Sequence, residues 1–534
     1  MALENGFHKI PPEIWDKIVP LVSRRDLVSL ALVSKNTYPH ANLLLYKTLE
    51  VSFCKCSLAY YDALARTILN SPELAALVTT LYIDMKVPCQ VKTASSLEDV
   101  KSTNQWKRQF RIRLDMLPGR GQISEEPKGH IEWNREVVQT LQNPQLLDIL
   151  PTLISLQKIT VILGHFQHDP EILSALVNVL PSNVISNVHY LKIYDSSLVK
   201  TPSITHLSHL RSLVLGYVNV QNADLCFIVA QNSKTLEELR LNWIVEVSQS
   251  PLFSNYSGPT LENLKVLALR GPQPFSLDGI RTVLGSGQSL EEIGLESLSA
   301  PTALAWAQIL VNLRNENSQC IAEMRSVRFG APNGCGEFWD SVAQFLCHCG
   351  SCLNTLSING SPRGPVGAFP PALFNYFLKY TQPNLSDLIL IWRDDVGLAY
   401  DAALSLGMFC PSVNLLHVSL CFPPGKSDNL LSLISPFIGL RRLHLTFLSW
   451  PMLAVMSSAL RIGTPIDTSD DITQNGPLFQ QFIKGAVARH PDLDEVSWSI
   501  YDRLSFSAEE PKTYVKVNLQ TKLVHQRSLT KSLA

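Results

Sequence analysis

One short pattern recurs along most of this chain: an aliphatic residue, two of any kind, a second aliphatic, one of any kind, and a third. It is clearest at Leu210/Leu213/Leu215, Leu236/Leu239/Leu241, Leu264/Leu267/Leu269 and Leu290/Ile293/Leu295. It continues at Met324/Val327/Phe329, Leu353/Leu356/Ile358, Leu385/Leu388/Leu390, Val413/Leu416/Val418 and Leu440/Leu443/Leu445. Weaker copies begin at Val78, Leu156, Val188 and Leu493, and successive starts from 188 to 440 lie 22 to 34 residues apart. The fourth and sixth positions of each copy share one face of a short strand, because side chains alternate with a period of two. Helix-like stretches such as 221–235, 301–314, 337–349 and 479–490 fall between the copies. No unit of this size buries its own apolar face, whereas stacked units make one continuous core. The expectation is an α/β chain, with parallel strands along one wall and helices along the other, over about residues 50–505. Antiparallel pairing of 236–242 with 264–270 would be incompatible with it.

Composition agrees. Of 534 residues, 46% are hydrophobic and only 17% are charged, against about 25% charged in ordinary globular domains. A chain this apolar has enough to bury and too little charge to stay expanded. Lys plus Arg is 45 and Asp plus Glu 46, a balance with no general attraction for nucleic acid or an acidic membrane. Residues 1–10 carry Glu4 and His8 without an apolar core, unlike a signal peptide. No stretch approaches the length of clean apolar sequence that spans a bilayer. The 11 Cys are scattered and odd in number, as in reduced thiols packed in a core. The expectation is a soluble intracellular protein of cytoplasm or nucleus.

The first residues obey a different logic. Ile10-Pro11-Pro12-Glu13 leads into a run with Ile14, Ile18, Leu21 and Val22 at helical spacing. Pro is tolerated in a first helical turn, and Pro20 predicts the end of that helix or a kink in it. Ser23 with Asp26 is a capping signal for a second helix through Leu27, Leu30, Ala31 and Val33 to about Asn36, which Pro39 ends. Residues 41–49 read as a third short helix or a buried extended run. Three short helices cannot bury this much apolar surface alone. They either cap the repeats or present a face to a partner.

Residues 8–49 resemble an F-box, the helical module that docks substrate receptors onto the Skp adaptor of cullin-based ubiquitin ligases. The family's opening Leu-Pro-x-Glu-Leu corresponds to Ile10-Pro11-Pro12-Glu13-Ile14, and its later positions to Ile18, Val22, Asp26, Leu27, Leu30, the triplet Val33-Ser34-Lys35 and Leu45-Tyr46. The aromatic usual three residues after the Ser is Thr37 here, with Tyr38 beside it. The resemblance implies adaptor contacts by Pro11, Ile14, Ile18, Leu27, Leu30 and Val33. The triplets resemble a leucine-rich-repeat solenoid, with strands inside and helices outside. The usual Asn or Cys after the third Leu is mostly absent, which predicts non-uniform turns.

Two intervals break the period. Residues 101–131 carry Lys107, Arg108, Arg111 and Arg113 and a Gly/Pro-rich middle, and 462–476 is acidic and turn-rich. Both read as insertions. Residues 506–534 read as an extension with a strand-like Tyr514–Leu519 and a disordered end.

Catalytic patterns are thin. Cys347, Cys349 and Cys352, with Cys335 upstream, form the densest ligand-like group, but small Cys side chains at a helix-to-strand turn are ordinary packing. No phosphate-binding, zinc-protease or nucleophile-elbow motif is present. No metal, cofactor or enzymatic activity is expected. Binding is better supported. The third, fifth and seventh positions of each copy face the open side of the strands, and position five includes Arg240, His417 and His444. Position eight carries Tyr217, Trp243, Trp392 and Phe447, and aromatics and Arg are what protein interfaces use as anchors. One reading is a non-catalytic substrate receptor, held on a Skp adaptor and cullin by its head and on an unknown target by its repeats. The alternative is a scaffold or interaction protein with no part in ubiquitination, with or without adaptor binding.

Overall fold

The computed structural model describes residues 11–33, 35, 37–52, 58–84, 149–162, 182–194, 207–248, 250–285, 290–316, 321–332, 334–349, 351–360, 370–379, 384–392, 407, 410, 412–420, 434–447, 485–486, 488–500 and 513–518. The stretches 101–131 and 462–476, with the basic group Lys107 to Arg113, lie outside them. The chain divides into two compact units, Met1–Leu207 and Ser208–Ala534.

The first unit opens with three helices, α1 (Pro12–Ile18), α2 (Arg24–Val33) and α3 (Thr37–Lys47). Pro20 does stop α1: the chain tightens into a 3-10 turn over Val19–Leu21. Ser23 caps α2 by accepting from the Asp26 N–H at 3.2 Å, and its hydroxyl donates to the Asp26 carboxylate at 2.6 Å. Pro39 does not end a helix. It lies in the first turn of α3, where a missing N–H has no helical partner to lose. The buried Thr37 hydroxyl donates to the Leu30 carbonyl at 2.8 Å and closes the turn between α2 and α3.

Four parallel strands come next in this unit, β1 (Thr48–Ser52), β2 (Thr80–Asp84), β3 (Lys158–Ile162) and β4 (Tyr190–Tyr194). Helices α4 (Leu58–Asn70) and α5 (Pro72–Leu77) join β1 to β2, and α6 (Ser182–Ile185) precedes β4. Strand β1 is hidden as a copy of the pattern, because Tyr46 occupies its first position. Leu49 and Val51 nonetheless pair in register with Leu81 and Ile83.

The second unit repeats one backbone plan. Its strands are β5 (Ser212–Gly216), the short β6 (Asn219–Val220), β7 (Glu238–Asn242), the short β8 (Val245–Glu246), β9 (Val266–Arg270) and β10 (Glu292–Glu296). They continue as β11 (Ser326–Ala331), β12 (Thr355–Gly360), β13 (Asp387–Ile391), β14 (Leu415–Leu420), β15 (Arg442–Phe447) and β16 (Glu495–Ile500). Leaving aside β6 and β8, which pair only with each other, these strands form one parallel ladder. Its register places the fourth position of every copy side by side: Leu213, Leu239, Leu267, Ile293, Val327, Leu356, Leu388, Leu416, Leu443 and Val496. The 236–242 and 264–270 segments are parallel. At each step one carbonyl accepts two successive N–H groups of the next strand, as Arg211 does from Glu237 and Glu238, and Lys265 from Glu291 and Glu292. The final strand, β17 (Thr513–Asn518), pairs antiparallel with β16 and closes that edge.

Helices α7 (Asn222–Gln231), α8 (Leu277–Leu284), α9 (Ala300–Glu316), α10 (Gly336–Leu346) and α11 (Pro371–Lys379) connect strands of the ladder. Even-numbered strand positions are buried with them: β7, β9 and β13 all alternate half-buried and buried. Phe329 of β11 meets Phe338 and Phe345 of α10 edge-on, with ring centres 6.2 and 5.9 Å apart. Each such ring contributes about 1.5–3 kcal/mol by leaving water. The architecture is therefore a parallel sheet with flanking helices, of the leucine-rich-repeat type in its topology.

Candidate binding surfaces

The turns leaving β5, β7, β9 and β10 put position eight in a conformation that L residues rarely adopt. Tyr217, Trp243 and Ser297 have φ of 55°, 54° and 55°, and Gly271, the corresponding residue between Trp243 and Ser297, has φ of 131°. The backbone accounts for this recurrence. The N–H of Tyr217 donates to the Asn242 carbonyl, that of Trp243 to Arg270, and that of Gly271 to Glu296. Each turn is thereby tied to the end of the next strand. The half-buried rings of Tyr217 and Trp243 lie parallel, within 1° and with centres 6.3 Å apart.

The open face of the sheet carries the odd positions. The Arg240 guanidinium donates to Glu238 on its own strand, and through both terminal nitrogens to the two Glu292 carboxylate oxygens at 3.0 Å. It reaches across β9 because the residues beneath are small: a Cβ added to Gly294 would sit 3.3 Å from that of Ala268. Burial opposes the charge on Arg240, but the two carboxylates outweigh it and raise the guanidinium pKa above its ordinary value. Arg328 Nε lies 3.8 Å from Glu292, and the Ser212 hydroxyl donates to Glu238 at 2.5 Å. Arg442 likewise reaches over β14 to Asp387, at 3.5 Å. Arg240 is satisfied within the sheet, whereas the Arg328 Nε is buried without a hydrogen-bond partner.

His417 and His444 stand side by side in register, rings 4.2 Å apart and near-perpendicular. Burial, and then the neighbouring His444, lowers the His417 pKa to about 3. Burial also lowers that of His444, against the opposing charge of Glu495. Both rings are neutral near pH 7. Trp392, expected on this face, is 1% exposed and packs edge-on against Trp339 at 5.1 Å. Its indole belongs to the core, because its turn directs the ring toward α10. Phe447 ends β15, and its side chain lies outside the described residues.

A second surface lies on the head. Trp15, Val19 and Leu27 form its buried centre, with Val22, Leu30, Leu44 and Leu45 packed around them, and Trp15 stacks on His40 with ring centres 6.3 Å apart. The buried seam of α1 is thus one residue on from Ile14 and Ile18, which are exposed. Leu21 and Leu32 are 86% and 82% exposed, and Val28, Val33 and Pro11 are also exposed. Of the six residues that the F-box resemblance implies as adaptor contacts, Pro11, Ile14, Ile18 and Val33 are on the outside. Leu27 and Leu30 are inside and can act only by supporting them. Trp15 is a core residue that a search for aliphatic spacing passes over.

The Cys group does not converge. Cys335 precedes α10 and Cys347, Cys349 and Cys352 come after it, so the helix holds them about 16 Å apart at 1.5 Å per residue. Burial, and then Cys347, pushes the Cys349 thiol up to about 12, which makes it inert. Among the described residues no group of three or more His, Cys, Asp and Glu could hold a metal, and no helix is long and apolar enough to cross a membrane.

No family model matches the chain, and no curated protein matches it. Among solved structures it is similar to an internalin from Listeria monocytogenes, at 14% identity and a TM-score of 0.30, covering 67% of this chain and 80% of that one. It is also similar to a leucine-rich-repeat protein from Leptospira interrogans, at 13% identity and a TM-score of 0.24, covering 60% and 85%. These scores are low, and the fold assignment rests on the chain's own strand order and register.

Proposed function

We propose that this chain is a non-catalytic protein-binding repeat protein, whose second unit holds a partner on the open face of its parallel sheet. The observation that carries this is the row of half-buried polar and aromatic side chains at strand positions three to eight. Tyr217, Trp243 and Arg240 lie together there on a rigid ladder, and His417 and His444 further along it. Rigid aromatic and Arg side chains lose little entropy on docking and serve as anchors.

A second, finer reading concerns the head. Its F-box-like motif and the uncovered Ile14, Ile18, Leu21, Leu32 and Val33 support docking on a Skp-type adaptor, and through it on a cullin. The chain would then present a target for ubiquitination by proximity. The test is a pull-down of the purified chain with a Skp adaptor and cullin, comparing wild type with Ile14→Asp/Leu32→Asp. Both residues are exposed, so the variant keeps its helical content, and adaptor capture falls at least about a hundredfold, two lost anchors of about 1.4 kcal/mol or more each. Failure of the wild type to bind any Skp adaptor removes the second reading and leaves the first standing.

A further inference from the structure

Arg270 differs from every other Arg on the described sheet face. It ends β9 at position seven, between Asn242 and Glu296 in register. Arg240, Arg328 and Arg442 each have a carboxylate within 4 Å. Arg270, among the described residues, has neither an ion pair nor a side-chain hydrogen bond; its Nε, like that of Arg328, is shielded from solvent without a hydrogen-bond partner. The indole Nε1 of Trp243 is likewise buried and unbonded. The two residues adjoin, since the Trp243 N–H donates to the Arg270 carbonyl. Two residues with unmet donors, one of them cationic, therefore adjoin through their backbones at the ends of β7 and β9, and one of them carries the ring that stacks on Tyr217.

The backbone adds an independent observation. Gly271 shows that position eight accepts glycine, the residue for which positive φ is unstrained. Tyr217 and Trp243 instead hold large rings there, in a conformation that strains bulky side chains. Strain retained at a partly exposed aromatic pair points to a role for the rings outside the fold's own packing.

We propose that Arg270, Trp243 and Tyr217 form the anchor of the sheet-face site, and that it takes an anionic side chain, carboxylate or phosphoryl, on an extended segment of the partner protein. Arg270 neutralises the anion, and the stacked rings cover the segment's flanking apolar atoms. Arg240 is already held by Glu238 and Glu292, whereas Arg270, with Glu296 beside it in register, forms no ion pair among the described residues. This inference rests on the sheet-face reading above and names the chemistry of its partner.

The experiment uses the full chain and four labelled nonapeptide pools, fixed at the centre as Glu, phosphoserine, Gln or Lys and randomised elsewhere. Retention of the Glu or the phosphoserine pool at least about tenfold above the Gln pool is expected, weakening with salt; which of the two is retained distinguishes carboxylate from phosphoryl. Arg270→Gln reduces that retention to the Gln-pool level with an unchanged melting temperature, because no internal partner is lost. Trp243→Gly reduces it about tenfold or more. Equal retention of the Gln pool, lost in Trp243→Gly, overturns the anionic assignment but keeps the sheet-face site. No retention of any pool up to about 1 mM overturns both. A lower melting temperature for Arg270→Gln makes the guanidinium structural and overturns the proposal.

Discussion

The head and the open sheet face of the second unit solve the problem of an exposed surface in opposite ways. On the head, Ile14, Ile18, Leu21, Val28, Leu32 and Val33 stand in water around a small buried centre. On the sheet face, charged groups are matched in place: Arg240 with Glu238 and Glu292, Arg328 with Glu292, Arg442 with Asp387. An apolar surface gains free energy only when something covers it, so the head's chemistry suits a lasting partner chosen by shape. A self-neutralised polar surface is stable by itself, and its selectivity comes from groups left unmatched. Association at the head should therefore be insensitive to salt and association at the sheet face sensitive to it.

The comparison breaks most sharply inside the head. Trp15→Ala removes the largest side chain from a core built on three buried residues. A loss of about 3–5 kcal/mol exceeds what so small a core can absorb, so the head melts as a separate early transition by circular dichroism. The melting of the second unit should be unchanged. A single unshifted transition would show that the head draws its stability from elsewhere.

A smaller effect is expected in the turns of the second unit. Glu246 is buried and accepts from the Ser248 hydroxyl and from the N–H groups of Ser250 and Asn222, at 2.8, 2.9 and 3.3 Å. Burial opposes its charge, and these bonds outweigh it and lower its pKa. Glu246→Ala leaves the Asn222 and Ser250 donors unmet and lowers stability by about 2–3 kcal/mol in a urea titration. Arg240→Gln, on the open face, costs no more than about 1 kcal/mol, since water reaches the two carboxylates it leaves.

The last effect is pH dependence. His417 and His444 titrate at lower pH folded than unfolded, so the unfolded chain binds protons first. Their contribution is complete above about pH 6.5 and declines as pH falls toward the folded values, by up to about 1.4 kcal/mol per pH unit for each ring. His417→Gln should flatten thermal stability between about pH 6.5 and 5. A wild-type slope retained in that variant would assign the effect to other groups.

The parallel ladder was legible because its signal is redundant. Every copy from Val78 to Leu493 became a strand, and the fourth positions align in each described pairing of the second unit. The signal of β1 was altered, since Tyr46 replaced its first aliphatic; the strand-like Tyr514–Leu519 became β17, whose antiparallel pairing lies outside the repeat. Helical spacing and the Ser23–Asp26 cap located α1 and α2, yet the buried seam runs through Trp15 and Val19, one residue on from Ile14 and Ile18. Helical spacing marks an apolar stripe and does not say which edge of a wide stripe faces inward.

The sequence by itself determined which residues alternate between core and surface along each strand, because a period of two leaves no other assignment once the fourth and sixth positions are buried. Only the tertiary structure decided how neighbouring copies use their surface residues. Arg240 meets Glu292 across 52 residues because Ala268 and Gly294 leave room beneath it. Trp392 enters the core while Tyr217 and Trp243 stack at the strand ends, and Arg270 makes no ion pair among the described residues. Such contacts depend on side-chain size two strands away and on the sign of φ at one turn residue, quantities set by the stacking of units and not by any unit alone.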